Sequence, residues 1–356
     1  MGIEGRCGTT AALSVPVASF SPAIRSLRVL GEESMMRFRS TVVGVALALF
    51  LGGLLTGPDA LEAQAPDGRR WSLQPRPPGG YQLIIPFMEG WYENEDGTYT
   101  ISFGYRNQQR EVVQIPVGED NFIEMAEFDG RQPTTFLPGR QRGVFTVTLS
   151  AEMKDEDVWW NIRNANGELA RVPGRTRFDA YELDWNSRPQ GSRHPLVSFE
   201  SNGEEGRGPP GITAEQTQTV SVGTPLALWV NARDPSERDP EDHRFAETVP
   251  LRVVWFSFQG PGEVEFTRHD STPVPEVEEE TPAQAAARAA GFPRRRPGPE
   301  TISLPDGHGV ARVMATFSEP GEYVLRVQVD NFRAPDSSSG DQCCWTNGYV
   351  RVTVTG

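Results

Sequence analysis

Adjacent cysteines, Cys343-Cys344, carry the most reactive side chains in this sequence. Neighbouring trans residues hold their Cα atoms about 3.8 Å apart, below the roughly 4.4–6.8 Å usual for a disulfide. A bond between them would be a strained, readily reduced ring; two free thiols and bridges to other chains are the alternatives. A closed ring would stiffen the loop from Ala334 to Asn347 and set Trp345 on a firm base, available for ligand contact. Zinc ligation fits poorly, because neither a C-x-x-C spacing nor a second ligand pair is present.

Carboxylates crowd a second stretch: Asp234, Glu237, Asp239, Glu241 and Asp242. Loop oxygens of this kind suit Ca2+, with Asp234, Asp239 and Asp242 as ligands, although the spacing matches no EF-hand. The other reading is a solvated acidic loop. Calcium is the one cofactor the residues suggest. Trp159-Trp160 is the third candidate. Consecutive strand residues point to opposite faces, so one indole packs inward. The other either stacks on a sugar or a partner surface, or is covered by the Pro-rich lead-in or the linker.

The remaining patterns exclude more than they suggest. Gly206-Arg207-Gly208-Pro209-Pro210-Gly211 is a literal G-x-G-x-x-G. A dinucleotide site needs a strand before it and helix amides after it, and here two prolines remove donors. The segment reads as linker. His194, His243, His269 and His308 are scattered in loop-like stretches, and there is no G-x-S-x-G, H-E-x-x-H or P-loop. Carboxylates are abundant enough for a glycoside-hydrolase pair, but sequence spacing does not set their separation in space.

The elements that must position these residues read as strands. Tyr99, Ile101, Phe103 and Tyr105 alternate with Thr98, Thr100, Ser102 and Gly104, the pattern of a half-buried strand. Phe145, Val147 and Leu149 alternate again, as do Val158, Trp160 and Ile162, and Asn166-Gly167 marks a hairpin turn. Leu196–Phe199 reads as a last strand of this first domain. Leu226, Leu228 and Val230 share a face in the second, and Leu251–Phe258 is the near-continuous apolar run of a central strand. Short strands between Gly/Pro turns predict a sandwich.

The segments VVWFSFQGPGEVEF (253–266), ATFSEPGEYVLRVQVDN (315–331) and YVRVTV (349–354) resemble immunoglobulin-like domains of the PKD type in exported bacterial proteins. The resemblance makes Trp255 the core tryptophan of the third strand and Tyr323 the tyrosine of the corner opening the penultimate strand. The cysteine pair that joins the sheets of antibody-type domains is missing. The fold implies little about function, since it carries adhesion, spacing and ligand binding alike.

The predicted fold is all-β: two β-sandwich domains in tandem, the second immunoglobulin-like, behind an N-terminal signal segment. Residues 66–200 form the first domain, 201–212 a linker and 213–356 the second. The second carries a charged insertion at 270–300, with an acidic run (Glu276, Glu278, Glu279, Glu280), an alanine-rich short helix over 283–290 and Arg294-Arg295-Arg296. That insertion reads as a solvated loop or a docking loop.

With 36 Gly, 30 Pro and a net charge of −14 over 356 residues, the chain is neither a coiled coil nor a multi-span membrane protein, and it is a poor match for nucleic acid. Val42–Leu55 is an unbroken apolar run, preceded by Arg37 and Arg39 and followed by Ala63-Gln64-Ala65, the order of a secretory signal. It is shorter than the ~17–25 residues that span a bilayer. A start at Met35 or Met36 suits this signal (35–65) and leaves 1–34 as an extension without pattern. The expectation is an exported, non-catalytic binding or envelope structural protein, periplasmic or secreted, with a protein or glycan partner in the envelope. The alternative is a carbohydrate-active or other hydrolase with an immunoglobulin-like accessory domain. Retention of residues 42–55 would instead anchor the chain to the membrane.

Overall fold

Alternation of apolar and polar residues becomes nineteen strands among the described residues. The computed structural model describes residues 82–356 apart from 186, 187, 189, 201, 202, 274–284, 287, 288 and 290–296. The apolar run 42–55 and most of the charged insertion lie outside the described residues. No helix among those described is long and apolar enough to cross a membrane.

The first half contains β1 (Ile84–Glu93), β2 (Tyr99–Asn107), β3 (Val113–Gln114), β4 (Asn121–Ile123), β5 (Thr135–Phe136), β6 (Gly139–Leu149), β7 (Val158–Arg163) and β8 (Leu169–Gly174). β1-β2-β6 form one antiparallel sheet and β4-β7-β8 another, with β3-β5 a short separate pair. Ile101, Phe103, Phe145 and Val147 meet Trp160 and Ile162 in a core that excludes water. Phe103 stacks on Phe145 at 5.1 Å, and Trp160 meets Phe145 edge-on at 4.9 Å; such pairs add about 0.5–1.5 kcal/mol beyond their burial. β2 corrects the expectation of a half-buried strand, because Thr100 and Ser102 on its second face are buried as well. On that face Tyr92, opposite Thr100, is covered by Trp185, stacked at 4.3 Å.

The second half contains β9 (Leu196–Ser198), β10 (Gly206–Arg207), β11 (Ile212–Thr213), β12 (Gln218–Ser221), β13 (Leu226–Arg233), β14 (Leu251–Gln259), β15 (Val264–Arg268), β16 (Thr301–Leu304), β17 (His308–Phe317), β18 (Gly321–Asp330) and β19 (Trp345–Thr355). One sheet runs β10-β9-β13-β17-β15. The other runs β11-β19-β18-β14-β16, with β12 also paired to β19. β9-β13-β17-β15 facing β14-β18-β19 is the strand arrangement of an immunoglobulin-like sandwich. Trp255, Val230, Val313, Leu325 and Val352 fill the space between the sheets.

Tyr323 closes the corner. Its hydroxyl donates to the Glu319 carbonyl at 2.9 Å and accepts from the Gly262 N–H at 3.1 Å, the back-bonding expected of a tyrosine corner. Tyr323→Phe is expected to cost about 1–3 kcal/mol, since it strands the buried Gly262 N–H. Urea unfolding measures this, and a loss below about 0.5 kcal/mol would count against the corner as a stabilising device.

Two expectations about the join are corrected. β9 pairs with β13 and β10, so Leu196–Ser198 belongs to the second sandwich and not the first. The supposed linker is built into the same sandwich: Gly206–Arg207 pairs with β9, and Ile212–Thr213 runs parallel to β19. Pro and Gly suppress the strand signature there, while neighbouring strands supply the partners.

The described residues from 82 to 356 form one compact unit. The outward face of β14-β18-β19 is where the first half seats, and Phe258, Val324 and Tyr349 join its core. Thr134 N–H donates to the Phe258 carbonyl (2.9 Å), Asn347 Nδ2 to the Gly143 carbonyl (2.7 Å) and Tyr349 OH to the Val144 carbonyl (3.0 Å). Arg326 is trapped at this seam, 2% exposed, with Nε and Nη1 lacking hydrogen-bond partners. Its guanidinium lies over the Phe256 ring at 4.7 Å, and burial pulls its pKa down. Because a buried unpaired charge is costly, Arg326→Met is expected to hold or raise stability by about 1 kcal/mol or more. A clear drop in the urea midpoint would show that the cation is compensated.

Candidate functional site

Cys343 and Cys344 are joined by a disulfide, and both are buried. The bond links neighbours, so it closes no long loop and removes little chain entropy from the unfolded state. The segment is tied down by other bonds. Cys344 N–H donates to Ser337 Oγ at 2.8 Å, and Gln342 Nε2 donates to Glu89 Oε2 at 2.9 Å. Glu89 also receives Arg140 (2.8 Å) and Arg142 (3.3 Å). Burial outweighs both cations and holds the Glu89 carboxyl above its usual range, while the same burial lowers Arg140.

The indoles proposed for ligand contact turn out to be structural in two of three cases. Trp345 is 1% exposed, packed between His194, Phe332 and the bare backbone of Gly143. Trp160 is 0% exposed, and its Nε1–H donates to Asn121 Oδ1 at 3.0 Å. Neither reaches a ligand. Trp159 is the outward member of its pair, half-buried, and its ring is overlaid by the Arg171 guanidinium at 3.9 Å. Among the described residues the cover comes from β8 and not from the linker; the lead-in lies outside the described residues.

The acidic loop does not converge on a cation. Asp234 binds Arg238 at 2.9 Å, Asp239 accepts from the Glu241 N–H at 2.9 Å, and Asp242 pairs with Arg244. Hydrogen bonds from Arg244 hold the Asp242 carboxyl down at about 2. Among the described residues no group of three His, Cys, Asp or Glu is placed to hold a metal. Arginines from the same loop take the carboxylates that Asp234 and Asp242 were expected to offer to calcium.

What the local patterns missed is a groove. It has a volume of about 240 Å³ and lies where the two sheets of the second sandwich part, beside β13. Trp229 stands at its mouth, 44% exposed, and its Nε1–H donates to the Phe199 carbonyl at 3.1 Å. Leu228 and Val350 form part of the apolar floor, and Glu200, Glu204 and Glu215 stand exposed around it. Among the described residues no Lys, Arg or His lines it. Trp229 lies outside the apolar set of β13, alternating with Leu228 and Val230. An exposed aromatic on a strand's polar face was the signal that could have marked it. Chemically the groove offers stacking, an apolar floor and negative charge.

No family model and no curated protein matches the chain. Among solved structures, the chain is similar to the PapD-like domain 7 of human CEP192 (11% identity, 49% of this chain and 92% of that one, TM-score 0.23). It is also similar to the D0-D1 domain of intimin (11% identity, 76% and 97%, TM-score 0.20) and to domains 4 and 5 of the S-layer protein SbsC (9% identity, 77% and 98%, TM-score 0.20). Superpositions this loose carry no argument. The immunoglobulin-like character of the second sandwich rests on its strand order and on the Tyr323 corner.

Proposed function

We propose that the chain is an exported, non-catalytic binding module of the cell envelope, periplasmic or secreted, which presents a surface on a rigid double sandwich. The groove beside Trp229 carries this reading: an aromatic side chain fixed by its own hydrogen bond at the mouth of an apolar cavity is the usual make-up of a recognition site. The signal-like order of Arg37, Val42–Leu55 and Ala63-Gln64-Ala65 supports export. The segments 253–266 and 315–331 support the PKD type for the second sandwich. Hydrolysis by paired carboxylates has Glu200, Glu204 and Glu215 to draw on at the same groove, but none is buried as a protonated acid would be.

Fractionation of cells making the chain, with intact mass, tests this reading. The expected product begins near Gln64 or Pro66 and is recovered outside the cytoplasm, associated with the envelope. Trp229→Ala should be exported equally and lose that association. Full-length chain in the cytoplasm, or envelope association indifferent to Trp229, would overturn it.

A further inference from the structure

One wall of the groove is a strand with an open side. β17 pairs with β13 along all of Leu226–Arg233, whereas β9 covers only Asn231–Arg233 on the other side. Over Leu226–Val230 that second side is unpaired among the described residues, and Ala227, Leu228 and Trp229 line the groove there. In an antiparallel strand, alternate residues turn both N–H and C=O to the same side. This stretch therefore offers backbone donors and acceptors to whatever lies beside it. Such an edge is a template for another strand, and a matching segment would be about five residues, roughly 17 Å long.

The lining restricts what that segment is. Among the described residues three carboxylates line the groove with no cation beside them, and no ion pair engages Glu200, Glu204 or Glu215. The neighbouring acid, Glu205, is by contrast held by Arg233 at 2.6 Å. An acidic strand would meet repulsion from all three carboxylates. A neutral one would leave the carboxylates without partners, at little cost since they are exposed. A basic strand alone gains from all three, and its alternate side chains can lie on Trp229, where a guanidinium or an aliphatic stem packs well.

We propose that the open edge of β13 takes an extended, arginine- or lysine-bearing segment of a partner protein as an added strand. Its main chain would bond to Leu226–Val230, and its cations would face Glu200, Glu204 and Glu215. Main-chain bonds supply the attachment and the side-chain pockets supply the selection, the usual division of labour in strand addition. This deepens the binding-module reading and rests on it.

Fluorescence anisotropy with the exported chain and three labelled decapeptides tests the proposal: alternating Arg-Val, alternating Arg-Pro, and alternating Glu-Val. The Arg-Val peptide is expected to bind, and to weaken as salt is raised because the pairs are exposed. The Arg-Pro peptide has the same charge but half the N–H groups, and should bind at least about tenfold more weakly, as should Glu-Val. Trp229→Ala, and separately Glu204→Lys, should each weaken Arg-Val by about tenfold with the melting temperature unchanged. Glu204 is exposed, so the second variant stays informative even if the first folds poorly.

Equal binding of Arg-Pro and Arg-Val overturns strand addition in favour of charge attraction alone. Equal binding by Glu204→Lys overturns the assignment to this groove. Binding that emerges only when Arg294, Arg295 and Arg296 are replaced by serine gives the edge to the chain's own segment and overturns a separate partner. No binding of any peptide, with envelope association still dependent on Trp229, overturns the basic strand and leaves the binding-module reading standing.

Discussion

Gly211→Ala should unfold the second sandwich or destabilise it by about 4 kcal/mol or more, a loss found only where something specific breaks. Gly211 has a φ of +58°, a region that costs an L side chain about 1–2 kcal/mol. The larger effect is contact: a Cβ at this position would lie 1.6 Å from the Asn347 carbonyl oxygen. Backbone has to move, and the backbone concerned is a hub. Asn347 N–H donates to the Gly208 carbonyl at 3.1 Å, and its Nδ2 donates to the carbonyls of Pro209 and Gly143. Stranding such buried groups costs about 1–3 kcal/mol each. Gly167→Ala is the matched comparison, with a φ of +82° and nothing near the added carbon. It should lose only the conformational part. Paired urea titrations measure both, and similar losses at the two sites would remove the case for a steric lock at Gly211.

Acid should weaken the fold through His194, by about 3 kcal/mol between pH 6.5 and 4. His194 is buried, its Nδ1–H donating to the Trp345 carbonyl at 2.8 Å and its ring edge-on to Trp185. Burial lowers its pKa to about 4, and the positive charges of Arg207 and Arg188 push in the same direction. Below about pH 6.5 the unfolded chain takes up a proton that the folded chain refuses until about pH 4. The unfolded state then holds more protons, so stability falls as pH falls through this window and is fully present above it. Glu89 and Asp330 oppose the trend: burial raises both, so the folded state protonates first and gains from acid. The clean readout is the stability difference between the native chain and His194→Gln as a function of pH. Glutamine can still donate to the Trp345 carbonyl but does not titrate. The difference should shrink by about 3 kcal/mol from pH 7 to pH 4, and a constant difference would refute the assignment.

Much of the fold was legible in the sequence. Leu251–Phe258, 311–317, 323–329 and 350–354 announce β14, β17, β18 and β19, because an inward face must be apolar at every second residue. Trp255 and Tyr323 sit as the resemblance implied. What stayed hidden was whatever depends on a distant partner. Gly206–Gly211 looked like punctuation, yet two of its three glycines let another chain segment approach: Gly208 meets Trp185 and Gly211 meets Asn347, while Gly206 lets the segment fold onto its own Gly211 and Ile212. Thr100 and Ser102 looked solvent-facing, and only the placement of residues far along the chain buries that face. Asp234 and Asp242 are the local exception: the arginines that take them stand only four and two residues on, but sequence order alone does not say which way those side chains turn. The groove was least visible of all. An open strand side is defined by where a neighbour stops, and β9 leaves no mark of that in its own residues.

β19, the last strand among the described residues, has an outsized place in the order of assembly. Through Trp345–Thr355 it pairs with β11, β12 and β18, and it reaches back across separations of 151, 204 and 205 residues to His194, Gly143 and Val144. Contacts of such sequence distance make folding slow. More to the point, none of them can form while those eleven residues are still unsynthesised or still inside a translocation channel. A chain crossing a membrane N-terminus first would stay pliable until β19 had emerged. Completion would then be a late event, in which both sandwiches close on β19.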